Sequence, residues 1–156
     1  MQVIQAPHPF DDAPRPWVFL AGSIEGGTAE HWQEVVTRQL RDSGFDGTVL
    51  NPRRDDWDDS WEETTENNEF CEQVEWELAA QEAADQILMY FSPGTISPVT
   101  LLELGLSAEK GKLTVCCPKG FHKKGNVDLV CRRHGIPQVT TQRELADLTI
   151  ANRSTK

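Results

Sequence analysis

A chain of 156 residues, 38% apolar and 26% charged, has the size and composition of one globular domain, able to bury roughly 68–70% of its unfolded surface. Its net charge of -10 argues against a nucleic-acid polymer as partner, because a phosphate backbone is bound by a Lys/Arg surface. No apolar stretch reaches membrane-spanning length and no secretory leader is visible, so a cytoplasmic protein that does not enter a membrane is expected.

Residues 1–16 hold Pro7, Pro9, Pro14 and Pro16 and are expected to form an irregular arm. The run Trp17–Ala21, ended by Gly22-Ser23, suits a buried parallel strand. Thr28 is a candidate N-cap for a helix carrying Trp32, Val35, Val36 and Leu40, stopped at Gly44. Thr48–Leu50 is a second strand, cut by Asn51-Pro52, and a loop rich in Asp and Trp follows to Trp61. Spacing predicts a helix over 65–84 with Phe70, Val74, Leu78 and Ala79 on its apolar stripe. Gln86–Phe91 is a third strand, 99–110 a helix, Leu113–Cys117 a fourth strand and 127–134 a helix closed by Gly135. Pro137–Val139 is a short fifth strand and 141–150 a last helix, with a frayed tail over 151–156.

Alternating apolar strands and helices joined by short connections predict an α/β fold: one domain over 17–150, a flavodoxin-like (Rossmann-type), doubly wound, parallel five-stranded sheet with helices on both faces. Cys71, Cys116, Cys117 and Cys131 show no ligand spacing, so buried free thiols are expected and neither a metal nor a cofactor is implied.

In such sheets ligands bind beyond the carboxyl ends of the strands. The Gly22-Ser23-Ile24-Glu25-Gly26-Gly27 turn lets backbone approach a ligand, or is a plain tight turn. Glu103 stands among Leu101, Leu102, Leu104 and Leu106, where a carboxylate is costly unless it is hydrogen-bonded or functional. By spacing alone it is equally a surface carboxylate near Lys110. Asp85 reads as a cap or turn residue, and Glu75, Glu77 and Glu82 as a solvated helix face. Trp32 and Trp76 read as core, while Trp57 and Trp61 suit stacking on a base or a lid.

The segments Phe19–Ile24, Leu50–Arg54, Ala83–Asp85, Leu101–Gly105 and Lys124–Val127, in that order and at strand ends, resemble the nucleoside 2-deoxyribosyltransferase-like family from about Trp17 to Val139. The resemblance implies that Glu103 is the nucleophile that attacks the anomeric carbon and Asp85 the aspartate that handles the base. It also implies that Asn126 reaches a neighbouring subunit's site, hence a homo-oligomer with shared sites. Gly22, Ser23, Ile24, Glu25, Asn51, Arg53, Trp57 and Ser97 complete the expected substrate site.

The chain departs from the family where Ser97 replaces an aspartate that binds the sugar 5′-hydroxyl, and where Val18 stands at the place of a tyrosine. A branch that hydrolyses deoxynucleoside 5′-monophosphates shares the serine but carries arginine in place of Glu25, for which Arg53 or Arg54 could compensate. The expected partners are a nucleoside or nucleotide and a nucleobase. The expected reaction is 2-deoxyribosyl transfer between bases through a glycosyl ester of Glu103. Hydrolysis of a nucleoside or its 5′-monophosphate is the alternative, and a nucleotide-sensing module without catalysis is a second.

Overall fold

Two apolar runs, Trp17–Gly22 (β2) and Gln86–Tyr90 (β4), pair in parallel at the centre of the sheet, with Phe19 beside Ile87 and Gly22 beside Tyr90. Both are almost wholly buried because helices cover both faces of a parallel sheet. β2 also pairs with Thr48–Asn51 (β3), and β4 with Leu113–Cys116 (β5), which pairs with Gln138–Val139 (β6). A computed structural model describes residues 1–151, so the expected frayed tail, apart from Ala151, lies outside the described residues.

The sheet has six strands and not five. The additional one, Gln2–Gln5 (β1), lies in the arm expected to be irregular and pairs in parallel with β3, giving the order β1-β3-β2-β4-β5-β6. Gln2 and Val3 are exposed, as an edge position permits. The remaining topology is the doubly wound one.

Side chains alternate between the two faces of the sheet. Phe19, Ala21, Ile87, Met89 and Val115 pack under Asn68–Ala83 (α2), Pro98–Ser107 (α3) and Lys124–His134 (α4). Val18, Leu20, Leu88 and Tyr90 pack under Trp32–Asp42 (α1) and Gln142–Ala151 (α5). Trp32 and Trp76 are core residues, one on each face. No described helix is long and apolar enough to cross a membrane.

Two local expectations are corrected. Helix α1 is capped at His31, while the Thr28 hydroxyl donates to the Glu25 carbonyl and tightens the preceding turn. On α2 the buried positions are Gln73, Trp76, Ala80 and Gln81, so the stripe expected at Phe70, Val74, Leu78 and Ala79 does not face the core. Both stripes fit helical spacing; the large Trp76 surface turns the helix, and the two glutamines find partners where they are buried.

Candidate active site

The crossover through α1 joins β2 to β3 on one side, and the chain then returns past β2 to β4, so the strand order reverses between β2 and β4. The loops leaving these two strands face each other across the switch point, where ligands bind in this architecture. Gly22 ends β2 because any Cβ there would lie 2.4 Å from the Tyr90 carbonyl and 2.6 Å from the Trp32 ring.

Behind Gly22 a compact hydroxyl cluster joins the two loops. Ser23 Oγ lies 2.6 Å from Ser97 Oγ and 3.1 Å from Thr95 Oγ1, and it accepts the Ser92 amide at 2.9 Å. Ser23, Ser92 and Ser97 are buried. Glu25 crosses from the Gly-rich turn to α3, and its Oε1 accepts the Ile96 and Ser97 amides at 3.0 and 2.5 Å. Glu25 and Ser97, with φ of 49° and 47°, are the described non-glycine residues with left-handed backbone. Such conformations cost about 1–3 kcal/mol each and persist where neighbours hold them, commonly at functional sites. A cavity of about 450 Å³ opens beside the cluster, lined by Glu25, Thr28, Glu30, Ser92 and Thr95 among others. Glu30 accepts hydrogen bonds from the Tyr90 hydroxyl at 2.6 Å and from Ser92 Oγ at 2.9 Å.

Glu103 lies six residues beyond Ser97, about 9 Å along the axis of α3. It is 7% exposed and buried in the seam between α2 and α3, where Oε1 accepts from Gln81 Nε2 at 2.7 Å. Glu77, one turn before Gln81, accepts from Gln73 Nε2 at 2.8 Å; Gln73 also donates to the Pro52 carbonyl at the end of β3. Gln73, Glu77 and Gln81 thus form a polar ladder facing α3. Burial pushes the Glu103 carboxyl up to about 8, with the neighbouring Glu77 charge adding to the rise and the Gln81 bond opposing it. Burial likewise pushes Glu77 up to about 7, against the Gln73 bond. Two carboxyl groups in one seam, Glu103 buried and Glu77 half-buried, with no cation among their causes of shift, retain a proton near neutrality. Neither lines the 450 Å³ cavity.

Glu77 is therefore not part of a solvated face, as Glu75 and Glu82 are. Sequence spacing missed it because all three glutamates recur along one helix. The available signal was its place midway between Gln73 and Gln81 at four-residue spacing.

Asp85 is elsewhere. It precedes β4 and so sits at the amino ends of the strands, opposite the switch point. Its Oδ2 accepts the Trp17 amide at 2.7 Å and its Oδ1 the Arg15 guanidinium at 2.7 Å. It ties the start of β2 to the start of β4. Asp85→Ala is expected to cost about 1–2 kcal/mol of stability through the Trp17 amide, the exposed ion pair adding little, and to leave kcat within about threefold. Chemical denaturation and steady-state rates check this together.

Arg53 is also reassigned. It is buried, and its guanidinium donates to the carbonyls of Gly27, Ala29 and Glu30 at 2.9, 3.2 and 3.0 Å. It braces the Gly-rich turn from beneath, and these donors are spent. Arg54 is forked onto Asp56 at 2.7 and 2.8 Å. Asn51 accepts the Arg53 amide, and Ile24 closes the turn through its carbonyl. Trp57 packs edge-on against Trp61, ring centres 5.1 Å apart, in the loop after β3. Asn126 is exposed in the first turn of α4. Val18 faces α1 and α5, so the β2 residues on the Glu103 side of the sheet are Trp17, Phe19 and Ala21, none of which has a hydroxyl. A second hollow, of about 930 Å³ along α4 and β6, is lined by Lys124, Asp128 and Arg132 and contains neither Glu77 nor Glu103.

No curated protein matches the chain. Among solved structures it is similar to a Clostridium botulinum CMP N-glycosidase, BcmB, with a TM-score of 0.54 at 16% identity, covering 86% of this chain and 98% of that one. That likeness shows the fold. The sequence pattern of the family described as nucleoside 2-deoxyribosyltransferase like matches residues 15–121, a span that holds the Gly-rich turn, the hydroxyl cluster, Glu77 and Glu103. The chain belongs to the nucleoside 2-deoxyribosyltransferase-like family, whose name denotes chemistry at the N-glycosidic bond of nucleosides.

Proposed function

We propose that the protein cleaves the N-glycosidic bond of a 2′-deoxynucleoside through Glu103 and transfers the deoxyribosyl group to a second nucleobase. The observation that carries this reading is the Glu77–Glu103 pair, a half-buried and a buried carboxyl, both with raised pKa, in one seam. A pair holding one proton supplies a nucleophile and an acid at the same pH. In the resting chain burial raises both carboxyls, and the pair shares that proton. The reaction requires it on Glu77, and the growing positive charge on the sugar favours the Glu103 anion.

The ionised Glu103 then bonds to the anomeric carbon as the carbon–nitrogen bond breaks. That electron pair leaves with the base, which takes the proton from Glu77. The product is a glycosyl ester of Glu103. A second base attacks the ester, returns a proton to Glu77, and releases Glu103 with retained configuration. Water in place of the second base makes the outcome hydrolysis. The name of the structurally similar CMP N-glycosidase supports that second reading. A sensing module without catalysis has no use for a seam that desolvates two carboxylates.

The homo-oligomer belongs to the same proposal. Val99, Leu102 and Leu106 of α3 are 57, 63 and 52% exposed at helical spacing, and Leu78 of α2 is 47% exposed. A second copy over this stripe would cover apolar surface of α2 and α3, the helices that carry the carboxyl pair. Deoxyinosine incubated with adenine is expected to yield deoxyadenosine and hypoxanthine on HPLC. Free hypoxanthine and sugar without exchange would establish hydrolysis instead, and no turnover of any nucleoside or nucleotide would sink both.

A further inference from the structure

Resting on the glycosidic-bond reading above, we infer that Gln73 is a positioning residue that holds the shared proton on Glu77 and so keeps Glu103 free as the nucleophile. Gln73 is buried, and its Nε2 donates twice, to the Pro52 carbonyl and to Glu77 Oε1, each at 2.8 Å. The Pro52 bond fixes the direction of the amide, because a turned amide would set its oxygen against a carbonyl oxygen. That direction leaves Gln73 Oε1 buried and without a hydrogen-bond partner among the described residues. Nearly all buried polar groups are paired, so an open acceptor beside a titrating carboxyl calls for a donor. A protonated Glu77 is that donor. A carboxylic acid and a primary amide close a ring of two hydrogen bonds, amide N–H to acid carbonyl and acid O–H to amide oxygen. The first bond of that ring is already made. The acid proton completes the second.

Gln81 acts the other way. It gives Glu103 Oε1 a donor at 2.7 Å, and a donor favours the carboxylate. The Gln73 donor alone would favour a Glu77 carboxylate in the same manner. Its open oxygen reverses that preference, since a buried acceptor left unpaired destabilises by more than one ordinary bond stabilises. Burial raises both carboxyls and does not choose between them; the two glutamines do. Across the seam, Glu103 of α3 is the titratable group that bears on Glu77. The cations that follow Pro52 are committed, Arg53 to the carbonyls beneath the Gly-rich turn and Arg54 to Asp56.

The test is the pH–rate profile of Gln73→Met, which has no amide, and of Gln73→Asn, whose amide is too short to close the ring. Circular dichroism shows whether each folds. The basic limb of the profile reports loss of the proton from the pair. Without Gln73 it is expected to move to lower pH by about one unit, with kcat above it falling roughly tenfold and the acidic limb unmoved. A basic limb that stays in place, or moves to higher pH as loss of a simple donor would cause, overturns the inference and leaves the glycosidic-bond reading standing. Infrared spectra of the wild-type chain need neither variant nor turnover. Near pH 7 ordinary carboxyls are ionised, so a protonated-carboxyl C=O band belongs to the pair. It is expected at the low frequency of an acid that both donates and accepts. A band at the higher frequency of an acid whose O–H has no partner, or no band, overturns the inference. The expected band in a chain that turns over no nucleoside or nucleotide does the reverse, keeping the role of Gln73 and sinking the catalytic reading.

Discussion

Glu103→Gln abolishes turnover, by roughly 10⁴-fold or more, and at the same time makes the fold more stable at neutral and alkaline pH. The loss of activity follows from an amide's inability to form the glycosyl ester. The gain follows from burial. The carboxyl rises from its ordinary 4.5 to about 8 on folding. Its favourable contribution is therefore complete below pH 4.5 and drains away as pH climbs through about 8. Gln accepts the same Gln81 bond without a charge to desolvate. The expected gain is about 2–4 kcal/mol at pH 8 and close to nothing at pH 4.5, less than the full shift implies because the two carboxyls are coupled. Urea denaturation at the two pH values checks it. A variant less stable than wild type at pH 8 would show that Glu103 is a structural hydrogen-bonding group and not a desolvated functional one.

Glu77→Gln is the sharper test of how the proton is divided. Without Glu77 the departing base leaves as an anion, and turnover of ordinary nucleosides is expected to fall by roughly 10²–10⁴-fold. Substrates whose leaving group is already acidic should suffer much less. The Glu77 charge is one cause of the raised Glu103 value, so its removal lowers Glu103 toward the ordinary range. The acidic limb of the pH–rate profile, which reports ionisation of the nucleophile, moves to lower pH in the variant. Equal losses for good and poor leaving groups, with the limb unmoved, would remove Glu77 from the reaction and leave it as a spacer in the seam.

The central architecture was legible because hydrophobic burial writes it directly. Trp17–Ala21 and Ile87–Phe91 are unbroken apolar runs and Leu113–Cys117 is broken only by Thr114, as a strand covered on both faces calls for. Strand β1 was illegible for the converse reason. It is a short edge strand beginning and ending on glutamine, beside four prolines, and its existence is decided by the Thr48–Asn51 backbone it pairs with. Within the site, Glu103 stood out as a carboxylate in leucine surroundings, and Ser23, Glu25 and Ser97 stood out by place. Glu77 did not, since among the glutamates of α2 the seam-facing one is selected by the packing of α3 and not by residue type. Asp85 misled because its segment resembles the family's and a carboxylate one strand before Glu103 is suggestive. Only the direction of β4 reveals that it stands at the wrong end. Arg53 carried the right charge for a ligand, but three backbone carbonyls brought near by the Gly-rich turn claimed it first.

The strand hidden in the N-terminal arm also bears on where this domain can be cut. Val49 and Leu50 of β3 are fully buried, and β1 supplies the parallel partner on their outer side. A chain begun at Trp17, where composition sets the boundary, retains Glu25, Glu77, Glu103 and the hydroxyl cluster but loses the Phe10 ring and the His8 carbonyl that hold Trp76 of α2. It also turns β3 into an edge, with a row of open amides and carbonyls on an apolar strand ready to pair with another molecule. Truncation there would thus cost solubility together with the packing of Ile4, Ala6 and Phe10 against the core, and β1 serves as the guard against self-association on that flank of the sheet.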